Sequence, residues 1–143
     1  WALEALRVAA WRPRLGAETD HRTIAHEVDW LRTAVHLHKG CYRGQETVAR
    51  VLNLGRPPRR LVMLHLDGSE HVAPAPGEAV LHGDREVGRV TSVARHHELG
   101  PIALGLVKRN VETSAEFVVD GIDAAQEVLV DPDVGLHVRP VLR

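Results

Sequence analysis

The sequence has a single cysteine, Cys41, so a disulfide framework or a four-thiolate metal or cluster site cannot come from this chain alone. No apolar run approaches the ~18 residues that a membrane helix needs, and nothing has the layout of a secretory signal. Neither sign of charge dominates: 18 Lys and Arg oppose 19 Asp and Glu, for a formal net charge of -1. The chain therefore has no global field to draw a nucleic acid or a membrane surface. Lysine is almost missing, with only Lys39 and Lys108 among the basic residues. Such arginine-rich usage suggests the mutational bias of a GC-rich genome, and it sets Lys39 apart. The first residue is Trp1, inside an apolar pattern, so the chain is expected to be a fragment of something longer. What remains is ordinary. With 44% apolar and 26% charged residues over 143 positions, one globular domain or two small ones in the reducing cytoplasm is expected.

Leu3, Leu6 and Ala10 lie at helical spacing before Pro13, which predicts a helix over residues 1–10. Residues 12–29 read as an irregular connection, and the weak alternation from Thr33 to His38 predicts one short strand. Val48, Val51 and Leu52 form an i, i+3, i+4 stripe, so a second helix should start near Gly44. Asn53, Gly55 and Pro57-Pro58 should end it, and Arg56 to Arg60 is the best linker candidate. Beyond residue 60 the character changes. Arg60–Leu66, Glu78–Leu81, Glu86–Arg95, Ile102–Lys108, Glu116–Val119 and Gln126–Val130 are short Val- and Leu-rich runs separated by turn signals. Six such runs predict a small antiparallel sandwich or barrel. The expected domains are 1–56 and 57–143, an α+β arrangement.

Reactive side chains are densest in Lys39-Gly40-Cys41-Tyr42-Arg43-Gly44-Gln45-Glu46. On an extended segment Lys39 and Cys41 would share a face, and a helix start near Gly44 would add partial positive charge. A cation and a helix N-terminus both favour a thiolate. The competing reading is a buried, inert cysteine beside a solvated lysine.

This octapeptide matches the K-G-C-[FY]-x-G-Q-E signature of YgfZ-type proteins, folate-binding relatives of the glycine-cleavage T-protein (aminomethyltransferase). Arg7 to Asp20 resembles a degraded R-x-E-x-G-x-P-x-x-G-x-[DE]-x-D stretch, and Thr23 to Val28 resembles T-x-P-x-E-x. Val87-Gly88-Arg89-Val90-Thr91-Ser92 with Gly100-Pro101-Ile102-Ala103-Leu104 is similar to a hairpin of the family's C-terminal barrel. The resemblance covers nearly all of this chain but only the C-terminal two-fifths or so of a complete member. It implies the tail of an α/β folate-binding domain followed by a small antiparallel β-barrel. Much of the folate pocket would then lie on the missing N-terminal part.

It further implies Cys41 and Lys39 as catalytic residues, Arg7, Tyr42, Gln45 and Glu46 as folate-binding residues, and tetrahydrofolate as cofactor. Members are implicated in assembly or repair of iron–sulfur clusters, and so in maintaining enzymes such as those that modify tRNA. Folate and iron–sulfur client or assembly proteins are the implied partners, without direct nucleic-acid or membrane contact. T-proteins usually carry Asp where Cys41 stands, which argues against simple aminomethyl transfer. Three positions depart from the pattern: Ala9 replaces a Glu, Trp11 a Gly, and Ala25 a Pro. Without that Glu, folate contacts from this segment lose a polar partner.

The remaining candidates are weaker. Trp11 or Trp30 offers a stacking face for a flat ring, or simply fills core. Of the ten histidines, His36 and His38, His96 and His97 beside Glu98, and His21 and His26 tempt a metal reading; none has ligand spacing, and no metal is expected. Arg56, Arg59 and Arg60 suit a phosphate or a folate polyglutamate tail, or form a solvated linker. Ser69 and Ser92 lack a nucleophile elbow, and Gly83 and Gly88 suit hairpins. Three functions therefore compete. They are a folate-binding iron–sulfur maintenance factor, an aminomethyltransferase-like one-carbon transfer enzyme, and a partner-binding module without catalysis.

Overall fold

The computed structural model describes residues 1–69 and 72–133, so residues 134–143 of the expected second domain lie outside the described residues. Helix α1 (Ala2–Ala9), a 3-10 turn (Ala25–Val28), α2 (Trp30–Thr33) and α3 (Gln45–Leu54) precede six strands. These are β1 (Arg59–Leu66), β2 (Ala79–His82), β3 (Arg85–His96), β4 (Gly100–Lys108), β5 (Glu116–Val119) and β6 (Ile122–Val128). They close into an antiparallel barrel in the order β1-β4-β3-β2-β5-β6, with β6 paired back onto β1. The α+β class is as expected, and of the two β architectures the barrel is realised.

The run Leu61-Val62-Met63-Leu64 is apolar on both faces because β1 is covered on both. Val62, Leu64 and Leu66 point into the barrel with Val80, Val90, Val107 and Phe117. Leu61 and Met63 face outward, where they join Ile102, Leu104 and Leu106 of β4 beneath Val8 of α1 and Val28 of the 3-10 turn. The N-terminal segment thus lies on the outer wall of the barrel, with α1 against β3 and β4 and the 3-10 turn against β1.

Gly88 has a role that hairpins do not explain. It sits within β3, where a Cβ would stand 2.3 Å from the Leu106 carbonyl oxygen and 2.8 Å from the Val107 Cα. Only glycine permits β3 and β4 to approach so closely. Gly83 does occupy a turn, between β2 and β3, at φ 59°.

Three expectations need correction. Thr33 to His38 is not a strand: Thr33 ends α2, and residues 34–44 are irregular. The closed barrel leaves no free edge with which a seventh strand could pair. The last strand begins at Ile122, not Gln126, because pairing with both β5 and β1 recruits Ala124 and Ala125.

The third concerns the Arg56–Arg60 linker: the strand expected from Arg60 is present and starts one residue earlier, so Arg59 and Arg60 are the first residues of β1 and not a solvated linker. Arg60 is fully buried, and its Nη2 donates to the Val111 carbonyl at 3.1 Å and to Gln126 Oε1 at 2.9 Å. Burial lowers its pKa from the ordinary arginine value.

Arg59 joins wall to barrel. It donates from Nε and Nη2 to the fully buried Glu27 carboxyl group, both at 2.9 Å, and from Nη1 to Asp20 at 3.1 Å. Arg89 of β3 reaches the same Asp20 at 3.5 Å. Hydrogen bonds from Arg59 foremost, then Thr23, hold the Asp20 carboxyl group well below the ordinary carboxylate range, and the carboxyl groups in turn raise the Arg59 pKa. Because the folded pKa is depressed, the stability Asp20 adds is full above the unfolded value near ~4 and lost as pH falls below it. Thermal unfolding of the protein and of Asp20→Asn should therefore differ most at neutral pH, and the gap should narrow as pH falls from about 4.

Candidate functional site

The buried polar centre of the chain is Glu18, whose side chain has no solvent exposure. Residues 12–18 carry no regular structure that could position it, so its partners must. Its Oε2 accepts from the Arg14 backbone N–H at 2.7 Å and from Arg7 Nη1 at 3.1 Å. Its Oε1 accepts from Ser92 Oγ at 2.5 Å and lies 3.0 Å from Thr91 Oγ1. The Thr91 hydroxyl is also 3.0 Å from the Leu104 carbonyl, and its one proton serves either acceptor.

Adjacent strand residues ordinarily point to opposite faces, yet Thr91 and Ser92 converge on one carboxyl group. The cause is a register shift in β3. Val90 pairs with Gly105 and Ser92 with Leu104, which leaves Thr91 as an extra residue. A bulge of this kind re-aims side chains, and here it turns two successive hydroxyls toward Glu18.

Arg7 completes the centre from α1. Nε donates to Glu4 Oε2 at 3.0 Å, and Nη2 donates to Glu4 Oε1 and to Ser92 Oγ, both at 2.6 Å. Nη1 donates to Glu18 and, at 2.7 Å, to the Arg12 carbonyl. Every guanidinium N–H is therefore engaged within the chain. The hydrogen bond to Glu4, followed by the charge of Glu18, raises the Arg7 pKa against the cost of burial. In this arrangement Arg7 positions α1, Glu18 and the bulge.

The Lys39–Glu46 octapeptide lies elsewhere and is built differently. Helix α3 starts at Gln45, with Gly44 as its N-cap at φ 85°, a left-handed conformation that suits glycine. Cys41 is exposed, so the buried-cysteine reading does not hold. It has no hydrogen-bond or ion-pair partner among the described residues. The segment is bent, not extended, and Lys39 Nζ lies 5.7 Å from the Tyr42 ring centroid, within cation–π reach. Gln45 and Glu46 occupy the first turn of α3, and Glu46 pairs with Arg50 at 3.1 Å on the exposed surface. The structure thus groups Lys39, Cys41, Tyr42, Gln45 and Glu46 at one exposed corner, and places Arg7 in the buried centre.

A third feature is a cleft of about 370 Å³ lined by Trp11, Arg12 and Pro13 after α1 and by Asp29, Trp30 and Arg32 around α2. Arg32 is tied to Asp29. The Arg12 side chain has no hydrogen-bond or ion-pair partner among the described residues. A larger depression, about 640 Å³, opens on the barrel between His65, His82 and Glu116, with Phe117 among its lining residues. Among the described residues no three His, Cys, Asp or Glu side chains come together as a metal-ligand set.

The Glu18, Thr91 and Ser92 centre escaped the sequence reading because neither spacing nor periodicity connects these residues; Ser92 is weighed there only as a nucleophile, and the other two lie in segments marked by the resemblance alone. A closed six-stranded barrel carrying a helical segment clamped to its wall by a buried carboxyl group defines the class of this protein. The chain belongs to the family of the glycine cleavage T-protein C-terminal barrel domain, whose family model matches residues 59–132. A chloroplastic protein of Arabidopsis thaliana, provisionally named a transferase, is 30% identical over 123 residues, which is 85% of this chain and 27% of that protein. Among solved structures, glycine cleavage system aminomethyltransferase T from Bartonella henselae has the same fold, with a TM-score of 0.70 at 19% identity. The match covers 95% of this chain and 39% of that one. The chain therefore spans well under half the length of either protein.

Removing the Glu18 carboxyl group takes the acceptor from the Ser92 hydroxyl and from the Arg14 N–H and one of two carboxylates from Arg7, while Thr91 keeps the Leu104 carbonyl and Arg7 keeps Glu4. Glu18→Ala should cost about 1–3 kcal/mol in urea unfolding, the scale of buried polar groups left without a partner. Glu18→Gln should cost less, because it keeps an acceptor for Ser92.

Proposed function

We propose that the chain is the C-terminal part of a tetrahydrofolate-binding protein of the aminomethyltransferase family. We further propose that its exposed thiol directs it to iron–sulfur cluster assembly or repair, as in YgfZ-type proteins. The observation that carries this reading is Cys41, the only thiol, exposed within a complete K-G-C-Y-x-G-Q-E octapeptide ahead of α3. An inert structural cysteine is usually buried; a functional one needs access.

The residues present suit a folate in part. Tyr42 and the two cleft tryptophans supply aromatic faces, while the partner-free Arg12 suits a carboxylate. Arg7 has no free donor, so it serves folate indirectly by holding the segment that carries these groups. A bound folate would supply a carrier for one-carbon units. A cluster, in this reading, is cargo shared with client or assembly proteins, and Cys41 contributes one thiolate to it. The reading places the protein in the cytoplasm, where such partners would meet it. No helix among the described residues is long and apolar enough to cross a membrane.

Aminomethyl transfer is the second reading, and the family match together with the transferase name of the plant relative favours it. Cys41 at the acidic position of T-proteins weighs against it. The two are separated in cells that lack the intact protein. Cys41→Ala should abolish rescue of an iron–sulfur enzyme's activity while changing stability by no more than about 0.5 kcal/mol, since the side chain is exposed. Full rescue by Cys41→Ala, together with tetrahydrofolate-dependent release of a one-carbon unit from an aminomethyl donor, would establish the transfer enzyme instead.

A further inference from the structure

Helix α1 and the 3-10 turn lean on β1, β3 and β4. The depression of about 640 Å³ runs instead from the end of β1 across β6 and β5 to the end of β2. Its shape follows from the register. His65 of β1 pairs with Ala125 of β6, and Ala125 pairs with Glu116 of β5. Residues paired across strands share a face, so one methyl group stands between two longer side chains and leaves a trough along β6. The buried Leu66, Ala124 and Phe117, which form the next paired row, line it with apolar surface. Asp123 lies two residues from Ala125 and therefore on its face. Asp67 is brought beside it, its N–H donating to the Asp123 carbonyl at 2.8 Å.

The polar groups of the trough share one property. Asp67, Glu116 and Asp123 line it and no Lys or Arg does, in a chain whose charges otherwise balance. The Glu116 and Asp123 carboxylates have no hydrogen-bond or ion-pair partner among the described residues, and Asp67 accepts only from Ser69. The two histidines are fixed in the same sense. His82 stands edge-on to Phe117, and its Nδ1 lies 3.0 Å from the Glu116 carbonyl. A carbonyl only accepts, so Nδ1 carries the proton and Nε2 of the neutral ring is left an acceptor. His65 Nε2 lies 3.0 Å from the Glu127 carboxylate, so it donates there and leaves Nδ1 the acceptor. Every uncommitted side-chain group that lines the trough is thus an acceptor, and the fitting occupant brings donors and positive charge. A metal ion does not meet that need, because no three of these groups come together as ligands among the described residues.

We infer that this trough is a docking site for a partner protein, and that it receives an arginine side chain flanked by apolar residues. The five N–H donors of a guanidinium serve acceptors spread over several strands better than a compact ammonium does. The apolar lining calls for an apolar side chain beside the charge, which a protein segment carries and a free polyamine lacks. The contact is of the weak, salt-sensitive kind, since its carboxylates are exposed. It stands apart from the folate reading and from Cys41.

The test is an NMR titration of the ¹⁵N-labelled chain with the peptide acetyl-Leu-Arg-Leu-amide. Backbone amide signals of residues 65–67, 82–83, 116–118 and 123–125 should shift saturably. The same peptide with citrulline for arginine keeps the shape but loses the charge, and it should bind about fivefold more weakly, the scale of an exposed ion pair. Glu116→Gln and Asp123→Asn, at exposed side chains, should each weaken the arginine peptide about two- to fivefold without changing Tm. Ala125→Trp, which fills the trough and leaves its charge alone, should abolish binding. The inference is overturned by an absence of saturable shifts at these residues, by equal affinity for the citrulline peptide, or by full affinity in both carboxylate variants. Spermidine bound as tightly as the arginine peptide would also overturn it, because the trough would then be a site for a free polyamine.

Discussion

The Glu18 carboxyl group is the point through which the N-terminal segment and the barrel hold each other. Each of its oxygens has two donors within reach, drawn from α1, from the loop after it and from β3. A buried carboxyl group is costly unless so satisfied, so the arrangement is accepted whole or not at all. That condition selects the bulge at Thr91, since an unbroken strand would turn one of the two hydroxyls away. It also fixes the last turn of α1, because Arg7 must reach Glu18 and Ser92 together. A second clamp repeats the theme, with Arg59 at the start of β1 gripping the buried Glu27.

These clamps divide the chain into parts held firmly and parts left open. Between them the outer faces of β1 and β4 are sealed by Val8 and Val28. Residues 34–46 receive no comparable anchor: the described residues there are exposed or half-buried, and Cys41 touches no polar partner among them. A reactive loop carried on a rigid scaffold is a common arrangement for a site that must meet a second molecule. The barrel supplies that scaffold.

The parts of this architecture with a local cause were legible in the residues. Helix α1 stops before Pro13 and α3 starts beside Gly44, as capping chemistry requires. The six strands follow turn signals such as Gly83-Asp84 and Asp120-Gly121, whose backbone demands are visible in single residues. Thr33 to His38 misled because alternation describes a surface, not a partner, and closure of the barrel removes every free edge. Arg59 and Arg60 misled because charge at a strand end is normally solvated; their acceptors, Glu27, Gln126 and the Val111 carbonyl, lie far along the chain. Of the candidate site, the octapeptide could be read directly as a contiguous motif. The Glu18 centre could not, since it joins residues 7, 18, 91 and 92 through the fold alone.

If the clamps make one cooperative unit of segment and barrel, native-state hydrogen exchange will show it. The α1 amides that donate within the helix should open with nearly the same free energy as those of β3 and β4, and Glu18→Ala should drop α1 selectively. Rapid exchange across α1 while β3 and β4 stay protected in the unaltered protein would contradict this account, leaving the helix an appendage and the Glu18 centre without the role assigned to it.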